Sequence, residues 1–286
     1  MVYDVIIIGK GPAGISASLY TTRANLKTLV IGQDNSSLIK AEAIENYYGF
    51  PKPISGANLL KNGISQAERL GAKIIFQEVV GIREEDSGFT VETTACSFRG
   101  KIVILATGAS RAKPKWQGID TFDGMGISYC AVCDGFFFKG KDVAVAGSGP
   151  YALHEAKALL PLVNSVTLCT DGKPLTTDFP PEIKIEDRPV MGLEGTPMLS
   201  AVRFKDGFSL EISGLFVAIG TAGSSDLANT IGANIKAGNI VVDARMNTNV
   251  QWLLAAGDCT GGMKQIAKAV YEGAMAGTEA VRLLRN

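Results

Sequence analysis

The stretch Asp4-Val-Ile-Ile-Ile-Gly9-Lys-Gly11-Pro-Ala-Gly14 decides the fold, because it returns 138 positions later as Asp142-Val-Ala-Val-Ala-Gly147-Ser-Gly149-Pro-Tyr-Ala152. Each copy reads as a short apolar strand, a turn of the form GxGxx(G/A) and the start of a helix. The first glycine permits the tight turn, the second lets a pyrophosphate approach the backbone, and the small third residue lets helix and strand pack. The sequence therefore predicts an α/β protein with two Rossmann-like, three-layer nucleotide-binding domains.

The two ends of the chain are predicted to belong to one domain. Gly238–Asp243 and Trp252–Asp258 read as strands, and Met263–Leu284 has helical periodicity. We therefore predict a discontinuous first domain, 1–113 plus 240–286, with a middle domain, 114–239, inserted into it.

Composition narrows the classes of function. The 286 residues contain 28 Lys plus Arg and 28 Asp plus Glu, a balance that gives no support to nucleic acid as a partner. No apolar run approaches the ~20 residues that span a bilayer. The first residues read as a strand rather than a signal peptide. We expect a soluble, cytoplasmic protein.

A pair of cysteines lies directly before the second glycine motif, in Cys130-Ala-Val-Cys133-Asp134. Thiols at this spacing can close and reopen a small disulfide ring, so a redox role beside a bound nucleotide is indicated. A structural zinc ion usually takes four ligands. Because the other cysteines are isolated and the chain has one histidine, we expect no metal site.

With these residues in place, the chain resembles the low-molecular-weight thioredoxin reductases over essentially its whole length. The motifs that carry the resemblance occur in order: GxGxxG at 9–14, Glu45–Pro51, Ile104–Ala109, Cys130–Gly135, Gly214–Gly220 and Ala255–Asp258. The resemblance implies FAD in the first domain and a CxxC in the middle domain that faces the isoalloxazine ring. It also implies a homodimer that reduces thioredoxin.

The resemblance also assigns roles to individual residues. Cys133 is implied to be the flavin-proximal thiol, Cys130 the thiol that attacks the thioredoxin disulfide, and Asp134 the acid that protonates the leaving thiolate. The implied FAD contacts are Gly9, Gly11, Pro12, Ala13 and Gly14 at the pyrophosphate, Asn46, Thr107 and Gly108 along the cofactor, Gly257 and Asp258 at the ribityl chain, and Gln265 and Ile266 at the pyrimidine edge.

Two segments depart from the family pattern in the first domain. The usual Gly-Gly-Gln-Leu flavin loop is replaced here by Asn35-Ser36-Ser37-Leu38, which removes the glutamine contact. The second strand ends in Gly32-Gln33-Asp34 with no acid at its tip, so Gln33 or Asp34 is the candidate contact to the adenosine ribose.

A third departure concerns the electron donor. Members that use NADPH carry a GGGxxA turn and a basic cluster for the 2′-phosphate, whereas this chain has Asp171 where arginines are expected. NADPH is therefore disfavoured, and NADH stays open because Asp171 can accept from a ribose hydroxyl. The pattern is most similar to the ferredoxin-dependent flavin thioredoxin reductases. A basic landing patch is then expected, and its candidates by clustering are Arg99, Lys101, Arg111, Lys113 and Lys115. Ordinary solvated side chains near a domain crossing explain this cluster better than a landing patch does.

Two alternatives remain at this point. One is an NADH- or NADPH-dependent reductase with an atypical nucleotide site. The other is a nucleotide-binding redox sensor without turnover, against which the acid after Cys133 argues because a sensor needs no positioned acid.

Overall fold

The structure, a computed structural model, describes residues 2–34, 36–108 and 114–285. The chain divides into two compact units, Met1–Ser110 with Gly223–Asn286, and Arg111–Ala222. The predicted fold class is confirmed, with one α/β unit inserted into another. The return to the first unit lies at 222/223, whereas the sequence placed it at 239/240.

The first segment of unit 1 contains most of its sheet. Its strands are β1 (Val2–Ile8), β2 (Thr28–Ile31), β3 (Lys73–Ile75), β4 (Val79–Glu85), β5 (Gly88–Thr93) and β6 (Ser97–Leu105). Its helices are α1 (Pro12–Arg23) and α2 (Gly56–Arg69), with a 3₁₀ turn at Ser37–Lys40.

Unit 2 follows with its own sheets. Its strands are β7 (Ile127–Ser128), β8 (Asp142–Ala146), β9 (Ser165–Cys169), β10 (Ile183–Glu186), β11 (Val190–Gly195), β12 (Leu199–Phe204), β13 (Ser209–Glu211) and β14 (Gly214–Val217). Its helices are α3 (Ala131–Asp134) and α4 (Pro150–Leu159), with a 3₁₀ turn at Gly135–Phe138.

The returning segment completes unit 1 with α5 (Ser224–Thr230), β15 (Ile235–Lys236), β16 (Asn239–Ile240), β17 (Leu253–Ala255), a 3₁₀ turn at Asp258–Thr260 and α6 (Ile266–Arg285). The strand predicted over Gly238–Asp243 is reduced to Asn239–Ile240, which pairs with β15 in a short antiparallel ribbon. The predicted terminal strand and helix correspond to β17 and α6.

The sheet of unit 1 has the order β3-β2-β1-β6-β5-β4, with β17 also pairing to β6. The β3-β2-β1-β6 ladder and the β6–β17 pair are parallel. β1 is buried almost throughout because helices cover both faces of such a sheet. α6 lies close against α1, since a Cβ on Gly273 would lie 2.1 Å from the Ala13 carbonyl oxygen.

The main sheet of unit 2 has the parallel order β10-β9-β8-β14-β7, and a separate antiparallel sheet has the order β11-β12-β13. The carboxyl ends of parallel strands meet at one edge, where open α/β sheets bind ligands. The glycine turns after β1 and β8 therefore lie at the ligand edge of their own sheets. Among residues 2–34, 36–108 and 114–285, no helix is both long enough and apolar enough to span a bilayer.

Candidate functional site

The first glycine turn combines close backbone packing with an open position. Gly9 follows β1 at φ +114°, and a Cβ there would lie 2.2 Å from the Ala106 carbonyl oxygen. A Cβ on Gly14 would lie 1.8 Å from the Gly9 carbonyl oxygen. In contrast, a Cβ on Gly11 would meet no protein atom within 4 Å. Because α1 begins at Pro12, the N–H groups of its first turn face this opening without helical partners.

The end of β2 places the candidate ribose residues beside charges from neighbouring strands. The Gln33 amide donates to Glu78 Oε2 at 3.0 Å, and Glu78 is buried after β3. The ammonium of the buried Lys10 pairs with Asp34 and lies 4.0 Å from the ring centroid of Phe76. Asp34 thus forms an ion pair with Lys10. Glu78, the partner of Gln33, was not identified from the sequence.

Thr107 follows β6 and is held by a residue from the returning segment. Its N–H donates to Ser224 Oγ at 3.0 Å, and the Ser224 N–H donates to Thr107 Oγ1 at 2.6 Å. Gly108 next to it has φ +89°. Ser224 was missed by the sequence reasoning, although the capping pattern of Gly223 and Asp226 marks the start of α5.

A clamp of charged side chains fixes the loop that carries Asp258. The Gly257 N–H donates to Glu272 Oε2 at 2.8 Å, and Lys268 Nζ donates to the Gly257 carbonyl at 2.7 Å. Lys268 and Glu272 also pair with each other at 3.0 Å. A Cβ on Gly257 would lie 2.9 Å from Ala13 Cβ, so this loop lies beside the first glycine turn. Neither clamp residue was predicted.

Asn46 and Gln265, which are 219 positions apart, meet in the structure. The Asn46 amide donates to Gln265 Oε1 at 3.0 Å. Gln265 directly precedes α6, which begins at Ile266. The structure therefore gathers the predicted residues of unit 1 into three contacts: the glycine turn with the Gly257–Asp258 loop, Thr107 with α5, and Asn46 with the start of α6.

The two cysteines of the CxxC form a disulfide, with an S–S distance of 2.06 Å. Cys130 is fully buried, whereas Cys133 is exposed. The Cys133 N–H points at Cys130 Sγ, 3.1 Å away, across the first turn of α3. The Ser128 hydroxyl donates to Asp134 Oδ2 at 2.7 Å and accepts from the Cys130 N–H at 3.1 Å, so Asp134 is anchored beside the pair.

Apolar side chains that lie close to the disulfide in the sequence are exposed on unit 2. Val132, Phe136 and Phe137 are exposed by 64%, 69% and 71%. Phe138 instead packs against Phe216, with ring centroids 5.3 Å apart. The three phenylalanines therefore belong to a 3₁₀ turn, and two of their rings are exposed.

The second glycine turn differs from the first at the position that a phosphate would need. A Cβ on Gly149 would lie 2.9 Å from Thr176 Oγ1. The Thr176 N–H donates to the Ser148 carbonyl at 2.9 Å, which holds this segment over the turn. Thr176 therefore occupies the space that is open at Gly11.

Asp171, the candidate acid for a nicotinamide ribose, already serves the fold of unit 2. Its Oδ1 accepts from the Val190 N–H at 2.7 Å, and its Oδ2 accepts from the Trp116 indole at 3.2 Å. Both carboxylate oxygens are thus engaged within the unit.

The three cysteines outside the CxxC differ in burial. Burial raises the pKa of the Cys259 thiol to about 11 and that of Cys169 to about 12, which keeps both as thiols at neutral pH. Cys96 is exposed. Within the described part of the chain, no three His, Cys, Asp or Glu side chains are grouped as a metal site requires.

Comparison with known proteins places the chain among disulfide reductases. Residues 3–188 and 187–273 match the pyridine nucleotide-disulphide oxidoreductase family. The thioredoxin reductase of Aquifex aeolicus is 36% identical over 96% of this chain and 90% of its own length.

Two solved structures cover nearly the whole chain. The atypical thioredoxin reductase TRi from Desulfovibrio vulgaris Hildenborough is 41% identical with a TM-score of 0.93, over 99% of this chain and 98% of its own. A ferredoxin-flavin thioredoxin reductase from Clostridium acetobutylicum is 32% identical with a TM-score of 0.73, over 99% and 98%.

Proposed function

Because the chain belongs to the thioredoxin reductases of the pyridine nucleotide-disulphide oxidoreductase family, we propose that it reduces thioredoxin through Cys130–Cys133, with electrons from reduced ferredoxin. The single observation that carries the choice of donor is the side chain of Thr176 in the phosphate position of the second glycine turn.

The first glycine turn fits FAD, the cofactor of this family. The turn packs so tightly at Gly9 and Gly14 that only glycine is accommodated, while the face of Gly11 is open. Residues 9–14 would hold the pyrophosphate at the start of α1, and the Gly257–Asp258 loop would meet the ribityl chain. Bound there, FAD supplies an electron pair that reduces a disulfide.

The protein residues then perform a dithiol–disulfide exchange. The disulfide of the enzyme takes up two electrons and two protons, so the S–S bond breaks and two thiols form. The Cys130 thiolate attacks thioredoxin and forms a mixed disulfide, and Cys133 resolves it by attacking Cys130. Asp134 supplies the proton to the leaving thiolate, and the enzyme disulfide is restored as thioredoxin becomes a dithiol.

The burial of the two sulfurs sets a condition on these roles. Attack on a protein disulfide requires an accessible sulfur, yet Cys130 is buried and Cys133 is exposed. The proposed roles therefore require Cys130 to become exposed during turnover.

Single-cysteine variants test this assignment. Cys133→Ser should retain flavin, lose turnover and trap thioredoxin as a mixed disulfide on Cys130, whereas Cys130→Ser should trap little. Trapping only by Cys130→Ser would reverse the two roles. Unchanged thioredoxin reduction by Cys133→Ser would refute the dithiol mechanism, whereas a wild type that reduces no thioredoxin with any donor would favour the redox-sensor alternative.

The surroundings of the second glycine turn support ferredoxin, rather than a nicotinamide nucleotide, as the electron donor. Thr176 occupies the phosphate position, and Asp171 is engaged by Trp116 and Val190. A plant-type ferredoxin near −400 mV and thioredoxin near −270 mV differ by roughly 130 mV, or about 6 kcal/mol downhill for two electrons. Ferredoxin reduction of the pair is therefore energetically favourable.

A donor screen tests this part of the proposal. Anaerobic holoenzyme is mixed with reduced ferredoxin, NADH or NADPH, and flavin absorbance is followed in a stopped-flow instrument. Of the three reductants, only reduced ferredoxin is expected to bleach the flavin absorbance. Bleaching by NADH or NADPH within milliseconds would overturn the ferredoxin assignment and leave thioredoxin reduction intact.

The exposed apolar patch of Val132, Phe136 and Phe137 supports docking of thioredoxin beside the disulfide. The basic ferredoxin patch stays a prediction, because Arg111 and Lys113 lie outside the described residues and Lys101 pairs with Asp4 at 2.8 Å. The homodimer is likewise a proposal, which light scattering of the holoenzyme tests.

A further inference from the structure

A buried glutamate contacts the backbone of the redox pair. Glu155 lies on α4, the helix that follows the second glycine turn, and only 2% of its surface is exposed. Its Oε2 accepts a hydrogen bond from the Ala131 N–H at 2.6 Å. Ala131 directly follows Cys130 and is itself fully buried. The Glu155 carboxyl group therefore bonds to the residue that directly follows Cys130, whose sulfur is buried.

This contact changes which backbone groups can stabilise a thiolate at Cys130. Backbone N–H groups near a sulfur favour its thiolate form. The Cys133 N–H is aimed at Cys130 Sγ, but the Ala131 N–H is directed to Glu155 instead. When ionised, the Glu155 carboxyl group disfavours a second negative charge nearby, because like charges repel.

Other titratable groups surround the redox helix but are placed differently. Asp134 accepts from Ser128, and the Tyr151 hydroxyl donates to the Tyr129 carbonyl at 3.4 Å. His154 precedes Glu155 on α4 and is less deeply buried. Among these groups, Glu155 is the one whose carboxyl group receives a backbone hydrogen bond from within the CxxC.

We propose that Glu155 is a positioning residue that holds Ala131 and, through its charge, makes the Cys130–Cys133 dithiol a stronger reductant at alkaline pH, where a thiolate forms. A dithiol whose thiolate is poorly stabilised gives up electrons readily, whereas a stabilised thiolate makes the disulfide an oxidant. The inference rests on the proposed function in one respect only, namely that Cys130–Cys133 is a reversible redox couple.

The test measures that couple without thioredoxin or ferredoxin. Holoenzyme is equilibrated with dithiothreitol: one protein disulfide becomes a dithiol, and one dithiothreitol dithiol becomes its cyclic disulfide. Glu155→Gln keeps an acceptor for the Ala131 N–H and removes the charge. Its equilibrium constant for reduction should rise by roughly tenfold at pH 9.5, equivalent to about 30 mV for a two-electron couple, and by under about twofold at pH 6, where both thiols stay protonated.

A conservative variant separates charge from shape. Glu155→Asp keeps the charge and should stay within about threefold of wild type, although its side chain is shorter. A purely structural role predicts the reverse order, with aspartate more disturbing than the isosteric glutamine. Lys157→Met, an exposed charge on the same helix, is the control and should not move the constant.

A measurement on the wild type does not depend on how the variants fold. The Cβ chemical shift of Cys130 in reduced, ¹³C-cysteine-labelled holoenzyme should titrate at or above the ordinary thiol value of about 8.5. Titration below about 7, or equal constants for Glu155→Gln and wild type at pH 9.5, would overturn the inference. If the equilibrium constant rises in Glu155→Gln but the wild type does not reduce thioredoxin, the proposed function is refuted and the inference stands.

Discussion

Substituting Gly11 by alanine should affect folding and FAD binding in opposite directions. Gly11 has φ −74° and ψ −175°, an extended conformation that alanine adopts without strain. The added Cβ meets no protein atom within 4 Å. Gly→Ala at such a position stabilises the folded chain by about 0.4–1 kcal/mol, because the unfolded chain loses conformational freedom. The flavin-free protein should therefore melt at the wild-type temperature or slightly higher.

The same methyl group would stand where the pyrophosphate must approach the backbone. Each hydrogen bond from a backbone N–H to a charged phosphate contributes about 1.5–3 kcal/mol. Displacing one such bond should weaken FAD binding by roughly 10- to 100-fold. The assay is titration of the apoprotein with FAD, followed by flavin fluorescence, with melting of the same samples.

The matched control is Gly149→Ala in the second turn, where the Cβ would lie 2.9 Å from Thr176 Oγ1. This variant should bind FAD as the wild type does. Wild-type FAD affinity in Gly11→Ala would refute the assignment of the first turn. A large loss of apoprotein stability in Gly11→Ala would refute the claim that this face is open.

Three further outcomes are expected. Thr176→Gly should bind NADH in the millimolar range by saturation-transfer NMR while the wild type shows no signal; equal signals would mean that Thr176 is not the barrier. Asp134→Asn should slow thioredoxin reduction by about 10²-fold or more, since proton transfer is lost, with normal flavin content; an unchanged rate would remove it from the mechanism. Glu279→Gln should cost about 1 kcal/mol in urea unfolding at pH 7, because the hydrogen bond from the partly exposed Arg282 holds the pKa of Glu279 below its ordinary value of 4.5. That stability is fully present above pH 4.5 and is lost as pH falls through the folded-state pKa, so a difference that did not shrink as the pH was lowered would contradict the reasoning.

The motifs that are local in sequence were predictable from sequence. The turns after β1 and β8, the strand β17 and the helix α6 all occur where apolar periodicity and glycine spacing indicated them. These elements depend on the interactions of neighbouring residues, so a single stretch of sequence contains the needed information.

The elements that were missed depend on distant partners. Residues 223–239 belong to the first unit, and there Ser224 bonds to Thr107 and Asn234 bonds to Asn249. The strand expected at 238–243 shortens because its partner β15 has only two residues. Such pairings form across long separations and leave no periodic signal in either segment.

The site shows the same division. The glycines and cysteines were identifiable because their chemistry requires those residue types at fixed spacings. Glu78, Lys268 and Glu272 were not, because each acts by bonding to a backbone or side-chain group that only the fold brings near. From the sequence alone, an isolated acidic residue or lysine is interpreted as a solvated side chain.

The second glycine turn has a structural role that does not depend on a bound nucleotide. Its surroundings differ from those of the first turn, since a Cβ on Gly149 would lie 2.9 Å from Thr176 Oγ1. The helix that the turn starts, α4, nevertheless carries Glu155, which bonds to Ala131 inside the CxxC. Removing the turn would displace α4 and leave the buried Ala131 N–H without its acceptor, at a cost of about 1–3 kcal/mol. The turn therefore supports the redox helix through α4, whether or not a nucleotide binds there.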